Sequence, residues 1–421
     1  MDILVIGGGG REHAIVWALS KSPKAGRIYC APGNAGIGQI AECVPIGVNE
    51  FDRLTAFAAE RNVDLVVVGP DDPLAAGIVD AFEEAAIPVF GPRKNAAIIE
   101  GSKTFMKDLL RKYNIPTAAY EKFDDYEQAL SYLHTQQLPI VIKADGLAAG
   151  KGVTVAYTME DAEKALHDMM VDKVFGEAGN HVVIEEFLAG QEMSILSFVD
   201  GETVRPMVAA QDHKSVFDGD QGPNTGGMGT YSPLPHIDDS ITQEAIETII
   251  KPTAKAMAAE GRPFRGVLFA GLMITPDGRP RTIEFNARFG DPETQVVLPR
   301  LKSDLLDILL AAVHGNLADV DIEWKDEAAV CVVLASGGYP ASYAKGVPIS
   351  GLEQVKDALV FHAGTAKNEA GEWVTGGGRV LGVVGLGPDI AAARHKAYEQ
   401  AELIAFEGKH QRTDIAAKAL V

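Results

Sequence analysis

A chain of 421 residues has room for two to four domains and a large buried core. Hydrophobic residues make up 47% and charged residues 23%, an ordinary balance for a globular protein in water. The formal charge of −20 argues against broad attraction to nucleic acid or an anionic membrane, so an anionic substrate must be met by a local cluster of Lys, Arg and backbone N–H groups.

Ile3 to Ile6 form an apolar run that leads into Gly7-Gly-Gly-Gly10, and Arg11 to Leu19 read as a helix. Further strands are expected at Ile28–Ala31, Leu65–Gly69 and Val89–Phe90, with helical spacing over 51–61 and 73–86 between them. This alternation predicts a parallel, doubly wound sheet. The glycine loop does not fit the dinucleotide fingerprint, because Glu12 or His13 stands where the third glycine belongs. It remains a candidate anion site at a helix N-terminus, with Gly8, Gly9, Gly10 and Arg11 beside Asn34 at the same sheet edge. His13 is read as a packed helix residue.

Pro139 to Ala144 read as a strand carrying Lys143, and Val153–Ala156 as its partner. The loop between them, Asp145-Gly-Leu-Ala-Ala-Gly-Lys-Gly152, is not a Walker A loop: Gly152 replaces the Ser or Thr, and no helix follows. Such a hairpin can close over a triphosphate as a flap, with Gly146, Gly150, Lys151 and Gly152 meeting the phosphates. His181 to Leu188 form a strand that turns polar at Glu185 and Glu186, followed by Phe187 and Leu188. Its edge suits a purine ring, and Glu192 suits the ribose hydroxyls; either Glu185 or Glu186 alone reads as a solvated charge. Gln211–Lys214 and Gly222–Gly229 read as one long polar loop without regular structure, a kind usually functional. Asp212 in that loop can bind an amine, and its glycines let backbone approach a small ligand.

Residues 240–260 read as an amphipathic helix, Val267–Thr275 and Arg281–Ala287 as paired strands around Pro276-Asp-Gly278, and Pro299–Ala312 as a helix. Within Thr282 to Gln295, period-two alternation sets Glu284, Asn286 and Arg288 on one face and Ile283, Phe285 and Ala287 on the other. A carboxylate and an amide oxygen two residues apart can share Mg²⁺, and an arginine beside them can hold a carboxylate or phosphate in a fork. Val330–Ala335 and Arg379–Val384 read as strands, Gly376–Gly378 as a hairpin turn, and 388–407 as a helix. Cys30, Cys43 and Cys331 have neither metal-like nor disulfide-like spacing and are expected to be free thiols. The N-terminus lacks a basic leader region and no apolar run reaches the roughly 18 residues of a membrane span, so a soluble cytoplasmic protein is expected.

The order of these features resembles the ATP-grasp ligases: Lys103, the strand with Lys143, the glycine flap, Ile184-Glu-Glu-Phe-Leu188, Glu192, and Glu284-x-Asn286. More narrowly, Gly7-Gly-Gly-Gly-Arg-Glu-His-Ala14, Pro32-Gly-Asn-Ala-Gly36, Asn224-Thr-Gly-Gly-Met-Gly229 and Arg288-Phe-Gly-Asp-Pro-Glu-Thr-Gln295 resemble the phosphoribosylamine–glycine ligase family along the whole chain. The resemblance implies an α/β and α+β multidomain fold. It would comprise a Rossmann-like pre-ATP-grasp domain over 1–102, an ATP-grasp domain over 103–325 with a flap subdomain at about 121–190, and a small α+β domain over 326–421 that helps close the site. It further implies ligation of glycine to 5-phosphoribosylamine with Mg·ATP in purine biosynthesis, Mn²⁺ being the alternative ion, by a monomer or at most a weak dimer.

By the same resemblance, Lys103 and Lys143 meet nucleotide phosphates, Glu284 and Asn286 hold the metal, and Arg288 holds the glycine carboxylate or the transferring phosphoryl group. Asp212 takes the glycine ammonium, with Lys214, Thr225, Gly226, Gly227, Asp291 and Pro292 in the substrate site. One departure from the wider superfamily concerns the metal: the strand Gly266–Ile274 carries no acidic residue. Two other readings compete, an ATP-grasp ligase with another acid and amine, and a nucleotide-binding protein without catalysis. A dinucleotide oxidoreductase ranks behind both.

Overall fold

The computed structural model describes residues 1–421. Near the N-terminus, five parallel strands lie in the order Glu42–Cys43, Ile28–Pro32, Ile3–Gly7, Leu65–Val68, Val89–Phe90. Leu4 and Ile6 join one apolar cluster, Ile3 and Val5 another, so both sheet faces are covered. Two-sided burial is why these strands are continuous apolar runs rather than alternating ones. The expected helix over 73–86 is two helices, Asp71–Ala76 and Ile78–Glu84, because Gly77 takes a left-handed φ of 98° between them.

Two four-stranded antiparallel sheets follow. The first orders Tyr120–Phe123, Val182–Glu186, Ile140–Ala144 and Val153–Ala156, and packs helices Tyr126–Leu133 and Met159–Met170 around a small apolar core of its own. The second orders Thr203–Pro206, Gln191–Asp200, Arg265–Ile274 and Pro280–Asn286. A five-stranded sheet closes the molecule: Gln211–Asp212, Gly229–Ser232, Ala328–Ala335, Arg379–Gly387 and Leu359–His362 lie side by side in that order. That sheet draws strands from both the middle and the end of the chain, so the C-terminal region is hydrogen-bonded directly to the 211–232 segment.

Several local expectations are corrected. The 211–229 stretch is not structureless: Ser215–Phe217 and Gln221–Asn224 pair as a hairpin. That hairpin is clamped by the C-terminal tail, where fully buried Arg412 donates to the Ser215 carbonyl at 3.1 Å and pairs with Asp220 at 3.0 Å. The helix expected at Pro299–Ala312 starts only at Leu305, because Asp304 caps it by accepting from the Leu306 N–H at 2.9 Å; Leu298–Arg300 is a separate 3₁₀ turn. The helix expected at 388–407 spans Ile390–Ala401. Gly376–Gly378 is not a hairpin turn, since the strands it joins, Trp373–Thr375 and Arg379–Gly387, lie in different sheets. The helical stretch 239–259 is present but passes through a π segment at Ile246–Ile250, next to Pro252, which has no N–H for the regular ladder. No helix is long and apolar enough to cross a membrane, and all three cysteines are free thiols.

Candidate active site

The Pro280–Asn286 strand forms one wall. Its register against Arg265–Ile274 shifts between Gly271, which faces Glu284, and Leu272, which faces Thr282. Ile283 is therefore a bulged residue, and the regular alternation expected through it holds only from Glu284 onward. The bulge turns the Ile283 carbonyl to accept from Lys143 Nζ at 3.3 Å. Lys143 crosses from the Ile140–Ala144 strand, so this contact joins the flap-bearing sheet to the wall.

Glu284 is ringed by cations. Lys214 Nζ lies 4.0 Å from its Oε1, and Lys143, Lys103 and Arg288 act on it as well. Burial pushes the Glu284 carboxyl up, but those cations together hold it below the usual carboxylate value. Lys214 is held well above the ordinary lysine value, first by Glu192 at 3.7 Å and then, against burial, by Glu284 and Asp212. Lys103 lies at the start of helix Lys103–Lys112, where Ser102 caps the helix and Asp145 accepts from the Thr104 N–H at 2.7 Å. Its Nζ donates to the Gly146 carbonyl at 3.1 Å, at the base of the flap, and burial draws its pKa down.

Asn286 and Arg288 are held by Glu100, a buried acid that ends helix Lys94–Gly101 and that sequence reasoning did not single out. Glu100 Oε1 accepts from Asn286 Nδ2 at 3.0 Å and lies 3.2 Å from Arg288 Nη2; Oε2 accepts from the Ala287 N–H at 2.7 Å. With its amide nitrogen on Glu100, Asn286 keeps Oδ1 as an acceptor beside Glu284. A carboxylate and an amide oxygen next to phosphate-compatible lysines are a donor set that suits a hard divalent cation and a nucleotide.

A second cluster lies where the 288–295 turn meets the loop after the first strand. Arg379 Nη1 donates to the Gly226 carbonyl at 2.8 Å and lies 3.3 Å from Asp291 Oδ1, while Gln295 donates to that same oxygen at 2.9 Å. Arg379 is another residue missed from sequence. Burial pushes the Asp291 carboxyl up, but Arg379 and Arg11 outweigh it and hold it low. Arg11 donates to the Phe289 carbonyl at 3.3 Å and pairs with Glu12 at 3.0 Å. Glu12 in turn accepts from the Gly9 N–H at 3.3 Å, so the helix N-terminus carries its own acidic cap. A Cβ on Gly10 would lie 2.7 Å from Gln295, and one on Gly8 would lie 2.5 Å from the Gly33 carbonyl. The Asn34 amide bridges the carbonyls of Gly8 and His362 at 3.0 and 2.8 Å, a clamp between the first domain and the C-terminal region. His13 is packed as expected, its Nδ1 accepting from the His362 N–H at 2.7 Å, and burial pulls its pKa down to about 3.

Asp212 links the two clusters. The His213 N–H donates to its Oδ1 at 2.7 Å, and burial together with Glu293 raises its pKa well above the usual value against Lys214 and Arg379. Gly227, at φ 119°, is where Asp212 and Pro292 close in: an added Cβ would lie 2.4 Å from Pro292 and 2.7 Å from Asp212. Thr225 is fixed by its hydroxyl donating to the Lys214 carbonyl at 2.8 Å.

Glu185 departs most from expectation. It is buried, not solvated, and its carboxylate lies between Lys143 and Lys107, the latter at 2.6 Å. Glu186 is exposed, and Phe187 and Leu188 line the half-buried segment beyond it, with the Phe187 ring 6.2 Å from Tyr157. In the flap, Gly150 has φ 74° and open space around it, Lys151 is exposed, and the Gly152 carbonyl accepts from the Ala144 N–H at 2.8 Å.

The Lys143-bearing hairpin and the strand end with Glu284 and Asn286, joined by the Lys143–Ile283 contact, belong to an ATP-grasp ligase. Family models for the N, ATP-grasp (A) and C domains of phosphoribosylglycinamide synthetase match residues 1–100, 101–294 and 329–418. The chain belongs to the phosphoribosylglycinamide synthetase (phosphoribosylamine–glycine ligase) family. Relatives named phosphoribosylamine–glycine ligase include one from Caldanaerobacter subterraneus subsp. tengcongensis, 53% identical over 99% of this chain and all of that one. Another, from Halalkalibacterium halodurans, is 54% identical over all of this chain and 97% of that one. The crystal structure of the Thermotoga maritima phosphoribosylamine–glycine ligase superposes with a TM-score of 0.88 at 35% identity, covering 99% of this chain and 100% of that one. A biotin carboxylase–β,γ-ATP complex from Campylobacter jejuni has the same fold at 14% identity, with a TM-score of 0.74 over 97% of this chain and 92% of that one.

Proposed function

We propose that Glu284, Asn286, Lys103, Lys143, Lys214 and Arg288 form the centre at which this ATP-dependent ligase of purine biosynthesis joins glycine to 5-phosphoribosylamine. The observation that carries the reading is the half-buried Glu284, with Lys214 4.0 Å away and Lys143, Lys103 and Arg288 holding its carboxyl below the usual value. ATP use with a divalent metal goes with the fold; Mg²⁺ is the ion proposed here, with Mn²⁺ able to replace it. Glu284 and Asn286 would hold that ion, which when bound neutralises phosphate charge.

The chemistry proceeds in two substitutions. A glycine carboxylate oxygen bonds to the γ-phosphorus as the bond to the ADP oxygen breaks, giving glycyl phosphate. The phosphoribosylamine nitrogen then bonds to the acyl carbon, phosphate departs, and the nitrogen sheds its extra proton. Such transfers depend on positioning and charge neutralisation, so no covalent protein nucleophile is required. Lys103 and Lys143 orient the phosphates, and Arg288, held by Glu100, orients the glycine carboxylate or the transferring phosphoryl group. Glu185 supports Lys143, while Phe187, Leu188 and Glu192 border the base and ribose. Gly8–Gly10, Arg11 and Asp291 form the region for the ribose 5-phosphate, with Asn34 shaping it.

Phosphate release from Mg·ATP, measured with glycine alone and with phosphoribosylamine formed in place from ribose 5-phosphate and ammonia, tests the reading. Release should require both substrates and yield a product with the mass of glycinamide ribonucleotide. Consumption of ATP with a different acid and amine would overturn the substrate assignment.

Two further results are expected. Shortening the 146–150 flap raises the KM for ATP and exposes the acyl phosphate to water, so ADP forms in excess of product; wild-type coupling in that variant would remove the flap from the mechanism. Asp212 is assigned to the glycine ammonium. Because its pKa is raised, its carboxylate is lost early as pH falls, and the KM for glycine rises on the acid side. Asp212→Asn should have a high KM for glycine without that acid limb, as kcat/KM profiles against pH will reveal.

A further inference from the structure

Lys107 is the least exposed charged side chain near the site, and nothing in the reaction above uses it. It lies one helical turn after Lys103 on helix Lys103–Lys112, so both lysines project from one face. Lys103 points to the flap base and Glu284. Lys107 points inward, with its ammonium 2.6 Å from Glu185 Oε2 and donating to Thr117 Oγ1 at 2.7 Å. The Glu185 Oε1 atom pairs with Lys143. Thr117 extends the connection, because its hydroxyl donates to the Thr282 carbonyl at 2.8 Å, on the strand that carries Glu284. No edge of Lys107 reaches a ligand, since its side chain is only 1% exposed.

The charge count gives the arrangement its sense. A lone Lys143–Glu185 pair sums to zero, and a neutralised lysine is a poor phosphate ligand. A second lysine behind Glu185 brings the triad to +1, and it does so where water cannot screen the charge. We propose that Lys107 is a positioning residue that acts through Glu185, dividing the carboxylate between two lysines so that Lys143 keeps both its place against the Ile283 carbonyl and an effective positive charge for the nucleotide phosphates. The proposal rests on the reading of Lys143 as a phosphate ligand.

The test uses steady-state kinetics of the full-length enzyme with four variants, each checked by thermal melting. Lys143→Met establishes the underlying reading, and an unchanged KM for ATP in it would overturn both that reading and the proposal. Lys107→Met leaves a neutral Lys143–Glu185 pair and should raise the KM for ATP about tenfold, with the KM for glycine little changed. Lys107→Met/Glu185→Gln restores a net +1 at Lys143 and should recover most of that loss. A role confined to stability predicts the reverse, a double variant worse than either single one, and that outcome would overturn the proposal. So would an unchanged KM for ATP in Lys107→Met beside a large effect in Lys143→Met. Should Lys107→Met not fold, the double variant set against Glu185→Gln decides: a residue that acts only through Glu185 leaves their KM values for ATP equal, and a several-fold higher KM in the double variant refutes the proposal.

Discussion

Replacing Glu284 with Gln should lower turnover by at least about 10³-fold while leaving metal-free nucleotide binding as strong as in the wild type, or stronger. The two halves of this result come from one charge. Glutamine preserves the shape of the side chain but removes the anionic oxygen that, with Asn286, would hold the cation. It also removes the carboxylate that Lys214, Lys143 and Lys103 now share. Freed of that partner, the lysines offer more positive charge to the phosphates of ADP. Loss of turnover would thus come from a missing metal contact, not from a missing nucleotide. Stability should follow the same charge. The Glu284 pKa is lowered from 4.5, so its contribution is fully present above pH 4.5 and is lost as pH falls through the lowered value. Wild type should therefore melt higher than Glu284→Gln at neutral pH, and the gap should close on acidification. Calorimetric titration with ADP in the absence of divalent metal, beside turnover with saturating Mg²⁺, measures both halves. A variant that retains turnover within tenfold of wild type would remove Glu284 from the metal site.

The parts of this molecule legible in the sequence are those encoded locally. Ile3–Ile6 and Leu65–Val68 are short apolar runs bounded by glycines and helices, and they form neighbouring parallel strands because nothing else can bury both of their faces. Glu284 and Asn286 share a face because strand period is two, and the bulge that disturbs this period lies just before them. What could not be read locally depends on contacts between distant residues. Glu100 is 186 positions from Asn286, and only the fold brings them together. Lys107 had a signal that could have found it: it stands among Met106, Leu109 and Leu110, all buried, so a lysine there lies on an apolar face and needs a partner. Arg379 opens an otherwise apolar strand after three glycines, which likewise could have flagged it. The 211–229 stretch looked structureless because its glycines and Pro223 suggest turns, and the residues that order it, His410 and Arg412, come almost 200 positions later. The helix limit at Asp304 was legible, since Ser303-Asp304 ahead of an apolar run is a capping signal.

Arg288→Ala should reduce kcat by about 10²–10³, the cost of losing one preorganised charge at the reacting centre. The geometry makes the loss twofold. The guanidinium is the fork that would orient the glycine carboxylate or the phosphoryl group, and it is also the charge beside Glu100, 3.2 Å from Oε1. Burial raises the Glu100 pKa, and Arg288 is the largest influence opposing that rise. Without it, Glu100 moves higher still and takes up a proton nearer to working pH. A protonated Glu100 is a weaker acceptor for Asn286 Nδ2 and the Ala287 N–H, so the amide proposed to face the metal is held less firmly as well. Arg288→Lys should fall between wild type and Arg288→Ala, since an ammonium keeps the charge but not the fork. The pH dependence separates this account from simple loss of a substrate contact. An acid whose folded pKa is raised costs stability as pH climbs from its unfolded value, here 4.5, to its folded one. Removing Arg288 widens that window upward, so the melting temperatures of wild type and Arg288→Ala should draw apart once pH rises through the raised Glu100 pKa of the wild type. Parallel melting curves across that range would separate Arg288 from Glu100, and near-normal kcat would remove Arg288 from the reacting centre altogether.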